Sequence, residues 1–292
     1  METTRKITKT STYIENLPLV AFGSGLFAQA SQLVPSHAHS LLNPDYMLDP
    51  QKDWEKKFDS FSFKIYEKGG HVLPYRFYQP PTLESGMRYP LVLFLHGAGE
   101  RGMDNRTQFL RFGPVPFWEK TPCFIIAPQC PSKPSNGEPD IGWVQTTFGA
   151  ATHTMKEKPT WTMELAIEML EKTIAENPVD THRVYVTGLS MGGFGTWEII
   201  QRKREFFAAA MPVCGGGDPA FASKLADLPL WVFHGTLDDT VKVERSRDMV
   251  AAITAASGKP NYTEYPNVKH DAWDPAYSDP KTWEWLFTQL KK

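Results

Sequence analysis

Val184-Tyr185-Val186-Thr187-Gly188-Leu189-Ser190-Met191-Gly192-Gly193-Phe194 is the stretch on which the reading of this chain turns. A β-branched, apolar run enters a Gly-x-Ser-x-Gly pentapeptide, and residues 194–201 leave it with helical spacing. A strand that turns sharply into a helix holds the serine in a strained backbone conformation, which neighbours without a Cβ accommodate. The same turn lifts the Ser190 hydroxyl to the sheet edge, where the helix N-terminus favours developing negative charge. Taken alone the pentapeptide is common by chance, so the case rests on what surrounds it.

Residues 91–95 are continuously apolar and end abruptly at His96-Gly97-Ala98-Gly99, as expected of a strand covered on both faces. Residues 124–127, 184–186, 208–213 and 230–233 repeat the pattern. Between them Met163, Ile167, Leu170 and Ile174 share one helical face that stops at Asn177-Pro178. Ahead of them, residues 61–65 and 73–78 predict two antiparallel strands across Gly69-Gly70. Strands alternating with helices predict a mostly parallel central sheet with helices on both faces, and the serine turn makes this the α/β-hydrolase fold. Functional loops then follow Leu95, Ala127, Val186, Val213 and Phe233.

A serine alcohol needs a base to take its proton and a carboxylate to orient that base, in the chain order Ser, acid, His. His270 is the only histidine after His234, which makes it the base. For the acid, His234-Gly235-Thr236-Leu237-Asp238-Asp239 follows a strand and offers Asp238 and Asp239, with Asp218 as a third choice. Asp227 precedes its strand and lies at the wrong edge. An oxyanion hole requires two backbone N–H groups, and Met191 supplies one by position. Ala98, with Gly99 next, is expected to supply the other from the turn after residue 95. His96 ends a strand either as a structural residue or in contact with substrate. His37, His39, His71, His153 and His182 read as surface or loop residues, and the His37-x-His39 pair lacks the further ligands of a metal site.

The 292 residues, 41% hydrophobic and 22% charged, suffice for one large core. A formal net charge of −2 argues against nucleic acid as a partner. Arg5, Lys6 and Lys9 precede an apolar segment, 17–27, that ends in Ala28-Gln29-Ala30, the order of a secretory signal peptide. Residues 1–30 are therefore expected to be a leader, 31–58 a linker or peripheral wrap, and 59–292 the catalytic domain of a secreted or periplasmic protein, with no membrane insertion after cleavage. Cys123, Cys130 and Cys214 permit one bridge and one free thiol in that compartment. Cys130 and Cys214 both follow predicted strands and are the pair placed on one rim.

The motifs LHGAGERG at 95–102, APQCP at 127–131, TGLSMGG at 187–193, HGTLDDTV at 234–241 and KHDAW at 269–273 together carry a family likeness. They resemble bacterial carboxylesterases related to feruloyl and acetylxylan esterases and polyhydroxybutyrate depolymerases, over about residues 61–290. The resemblance implies that the acid is Asp238, four places after the motif histidine, with Asp239 the runner-up. It also implies that Trp143 borders a substrate pocket; Trp143 and Trp273 both lie in predicted rim loops and are the two aromatic candidates for substrate contact. Lys242 stands where the family often carries proline, outside the triad. Secreted members act on plant-wall esters, so the expected substrate is a small-molecule or polysaccharide-linked ester, cleaved through an acyl-serine with no cofactor and no metal. A serine peptidase with the same triad, or a noncatalytic binding module on this scaffold, are the competing readings.

Overall fold

The computed structural model describes residues 56–113, 115–132 and 142–291. These all fall within the compact unit Asn43–Lys292. The expected leader, most of the expected linker and the His37-x-His39 pair lie outside the described residues. Among the described residues no helix is long and apolar enough to cross a membrane.

Among the described residues eight strands form one sheet: β1 (Ser62–Lys68), β2 (His71–Tyr78), β3 (Tyr89–Leu95), β4 (Phe124–Pro128), β5 (Val179–Leu189), β6 (Ala209–Val213), β7 (Trp231–Gly235) and β8 (Asn261–Tyr265). Their order is β1-β2-β4-β3-β5-β6-β7-β8. β2 runs antiparallel to β1 and β4, and every other pairing is parallel. The α-helices among the described residues are α1 (Phe117–Lys120), α2 (Trp161–Glu176), α3 (Met191–Arg202), α4 (Glu244–Ala255), α5 (Trp273–Ser278) and α6 (Pro280–Thr288).

The apolar run of β3 is explained by two cores, one on each face of the sheet. Leu91, Leu93 and Leu95 pack with residues of α2, α3 and α4, whereas Val92 and Phe94 pack with Trp273, Tyr277, Trp283 and Leu286 from α5 and α6. Alternate side chains thus meet different helices, and neither face has a polar option. Thr160 caps α2 by accepting from the Met163 amide, and the helix ends at Glu176, where Asn177-Pro178 predicts its stop.

Several details depart from the sequence reading. The stretch expected to be peripheral reaches the core with its last residue: Phe58 is buried and stacks on Phe109 at 4.1 Å. Buried Arg76 donates to the carbonyls of Phe58 and Phe61 and so ties that stretch to the sheet. Phe63, on the edge strand β1, lies half-exposed over the Arg76 guanidinium. His153 is buried, not superficial, with Nδ1 on Thr146 Oγ1 at 3.0 Å. All three cysteines are free and buried. Cys130 and Cys214 follow β4 and β6, three places apart in the sheet, a separation of about 14 Å that no disulfide spans.

Candidate active site

Ser190 stands between β5 and α3 with φ 53° and ψ −117°, a left-handed conformation that costs a non-glycine residue energy. Its amide donates to the Val213 carbonyl at 2.9 Å, which fastens the turn to the end of β6. The glycines around it are required by contact. A Cβ on Gly188 would stand 2.6 Å from the Leu95 carbonyl oxygen, and one on Gly192 would overlap that same oxygen. The serine turn and the end of β3 therefore touch backbone to backbone.

His270 approaches from the loop after β8. Its Nε2 lies 2.8 Å from Ser190 Oγ and its Nδ1 2.7 Å from Asp238 Oδ2. Because the carboxylate only accepts, Nδ1 carries the proton and Nε2 is free to accept from the serine hydroxyl. Asp238 Oδ1 accepts from the amides of Thr240 at 3.0 Å and Val241 at 2.8 Å. Burial works to raise the Asp238 carboxyl, but the hydrogen bonds from His234, His270 and the Val241 amide outweigh it and hold the group well below the usual carboxylate range. The acid is thus ionised at any working pH. Asp239 is exposed, and Asp218 instead caps the Pro219–Leu225 turn through the Ala220 amide, so neither enters this relay.

His234 is a part of the site that motif reading left undefined. It is fully buried, with Nδ1 2.7 Å from Ser246 Oγ and Nε2 2.8 Å from the Val241 carbonyl and 3.2 Å from Asp238 Oδ2. A carbonyl accepts only, so Nε2 bears the proton and Nδ1 takes one from Ser246. The imidazole therefore braces the far side of the acid. A His-Gly step at a strand end was the visible signal; the 12-residue reach to Ser246 was not.

At the expected oxyanion position, Ala98 opens a short 3-10 turn, Ala98–Glu100, directly after β3, and Met191 opens α3. Both are first residues of their turns, where amides lack a helical acceptor. Arg101 Nη2 reaches Met191 Sδ at 3.1 Å. Trp143 and His96, expected at the pocket, are fully buried instead. The Trp143 indole N–H donates to the His96 carbonyl at 3.0 Å, and His96 Nε2 accepts from the Cys130 amide at 2.9 Å. Both support the turn that carries Ala98 from behind. Trp273 is placed nearer the reacting groups: its ring meets His270 edge-on at 5.2 Å, with the Arg111 guanidinium 5.3 Å from it.

A mostly parallel sheet flanked by helices, with a strained serine between a central strand and its helix, is the α/β-hydrolase fold. Residues 144–278 match the model of the dienelactone hydrolase family. The chain is 31% identical over 118 residues to the bifunctional acetylxylan esterase/xylanase XynS20E of Neocallimastix patriciarum, a span of 37% of this chain and 17% of that protein. Among solved structures, a thermostable esterase superposes with a TM-score of 0.69 at 35% identity, covering 81% of this chain and 64% of that one. The acylaminoacyl peptidase of Pyrococcus horikoshii shares the fold, with a TM-score of 0.58 at 13% identity over 81% of this chain and 43% of its own. The chain thus spans under two thirds of each of these relatives.

Proposed function

We propose that this protein is a serine carboxylesterase that works through an acyl-serine intermediate, with feruloyl or acetyl esters of plant-wall polysaccharides as its substrate class. The observation that carries this reading is the unbroken hydrogen-bonded line from Ser190 Oγ through His270 to Asp238. In it Ser190 attacks the ester carbonyl as His270 Nε2 takes its proton, and ionised Asp238 stabilises the imidazolium that forms. The amides of Met191 and Ala98 receive the negative charge on the carbonyl oxygen, where one such donor is worth about 10²–10³ in rate. His270 then returns the proton to the leaving alcohol. Water, activated by the same imidazole, hydrolyses the acyl-serine and restores the hydroxyl. No step needs a cofactor.

The likeness to an acetylxylan esterase and to a thermostable esterase supports ester over amide substrates, and the motif resemblance adds the feruloyl class. Trp273 stands beside His270 but is largely buried, so only the margin of its ring is offered to a phenolic or sugar group. The leader-like order of residues 5–30 supports export.

The test uses purified protein and its Ser190→Ala variant with short-chain p-nitrophenyl esters and methyl ferulate. Wild type is expected to release p-nitrophenol, and the variant to lose about 10⁴-fold or more in kcat. Ferulate release decides the substrate class. Folded wild type that hydrolyses none of these esters removes the esterase reading.

A further inference from the structure

Ester hydrolysis gives no work to Cys214, yet this thiol lies against the relay. It follows β6 with φ 39°, and its amide is fixed to the Phe233 carbonyl at 2.9 Å, so the side chain has a defined place. Its Sγ meets the His270 carbonyl oxygen at 3.5 Å. More telling, Cys214 Sγ, a carboxylate oxygen of Asp238 and a ring nitrogen of His270 all lie within 4.8 Å of one another. Ligand atoms around tetrahedral zinc, with bonds of about 2.0–2.3 Å, stand roughly 3.3–3.6 Å apart. Small side-chain shifts therefore close these three atoms around an ion. The surroundings are also those of a held ligand set, since two backbone amides fix Asp238 Oδ1 and His234 braces Oδ2.

We propose that Cys214, Asp238 and His270 form an inhibitory site for a thiophilic divalent cation such as Zn²⁺. Thiolate, imidazole and carboxylate together select such an ion over Mg²⁺ or Ca²⁺. The inhibitory part of this proposal rests on the esterase reading above; the binding part does not.

Proton accounting shows why such an ion would stop turnover. In the resting site the proton of neutral His270 is on Nδ1, facing Asp238. A cation bonded to Nδ1, Asp238 Oδ2 and Cys214 Sγ displaces it, and the imidazole carries its proton on Nε2 instead. Nε2–H can then only donate to Ser190 Oγ, so the serine proton has no acceptor; the wrong tautomer in such a triad costs about 10⁴ in kcat. The Cys214 thiol, which burial and the nearby Asp238 charge keep protonated, loses its proton to solvent as the metal–sulfur bond forms. One proton is released per ion bound and no electron moves.

The Ser190→Ala protein is titrated with Cd²⁺, following thiolate-to-metal charge-transfer absorption in the ultraviolet. One ion per chain is expected, with the band absent when Cys214→Ala is added and retained when Cys123→Ala or Cys130→Ala is added. In parallel, Zn²⁺ should inhibit wild-type ester hydrolysis reversibly on EDTA addition, and Cys214→Ala should need at least ~10-fold more ion for half-inhibition of its own rate. Should the alanine variant not fold, Cys214→Ser carries the same comparison, since a hydroxyl is a poor zinc ligand. A missing band, or a band that survives without Cys214, overturns the site. The expected band in a protein that hydrolyses no ester upholds the site and removes the esterase reading instead.

Discussion

Two His-Gly steps end two strands of this sheet, His96-Gly97 after β3 and His234-Gly235 at the end of β7, and the structure uses them differently. Both histidines are fully buried. His96 donates from Nδ1 to its neighbour's carbonyl and accepts at Nε2 from the Cys130 amide, while the Gly102 amide returns to the Cys130 carbonyl. It is a clasp between two loops that fixes a backbone donor. His234 faces a charged carboxylate and fixes an acid. Local sequence is the same in both steps; what differs is the partner that the topology brings to each strand end. The proposed site therefore rests on two frames of unlike chemistry, one neutral and one ionic, which can be disturbed separately.

The ionic frame should fail first and hardest. Asp238→Asn retains the shape but presents a group that no longer specifies a proton on His270 Nδ1, and kcat is expected to fall about 10⁴-fold. Asp239→Asn, at an exposed neighbour, should leave the rate within about twofold. Steady-state kinetics on the two variants decides the matter, and equal losses would mean that the acid is shared or misassigned.

Much of this arrangement was legible in the sequence because the decisive features are local. A continuously apolar strand, a Gly-x-Ser-x-Gly turn and a helix beyond it can be read within a dozen residues, and the strand ends locate the loops. The carboxylate was harder: Asp238 and Asp239 are adjacent, and only the backbone directions that bury one and expose the other separate them. Trp143 misled because the family resemblance places a tryptophan after the PQCP motif at the pocket wall, whereas here it is fully buried. In the structure a Cβ on Gly195 would stand 2.6 Å from the Trp143 Cβ, so the indole fills the space the glycine leaves. His234, Ser246 and Cys214 join the site only through long-range packing of β6, β7 and α4, which no local pattern encodes.

The neutral frame should reveal itself through pH. Burial pushes His96 down to about 4, with the Gly97 carbonyl opposing and the Arg101 charge assisting. A free histidine titrates near ~6.5, so the unfolded chain binds this proton first as pH falls. The stability it contributes is complete above about pH 6.5 and is lost as pH falls towards 4, by up to about 3 kcal/mol. Asp238, held below the carboxylate range, contributes stability that is lost only at still lower pH, outside this window. Urea unfolding of wild type and His96→Gln between pH 7 and 4 should show a flatter dependence in the variant. Parallel curves would deny the clasp its titration.

The two glycines separate the frames most sharply. A Cβ on Gly97 would stand 2.7 Å from Glu100 Oε2 and 2.8 Å from Leu189 Cδ1, both far ends of side chains that can rotate away. A Cβ on Gly235 would overlap the backbone carbonyl oxygens of Val268 and Lys269, immediately before His270, and a backbone cannot yield so locally. Gly235→Ala must push the histidine loop outward, and a displacement of about 1 Å is worth roughly 10² in rate. Gly97→Ala should cost no more than about tenfold, because Glu100 and Leu189 absorb the change before Ala98 moves. The pair is read from kcat/KM of the two folded variants with one p-nitrophenyl ester. A larger loss at Gly97 than at Gly235 would show the turn after β3 to be the more tightly set of the two frames.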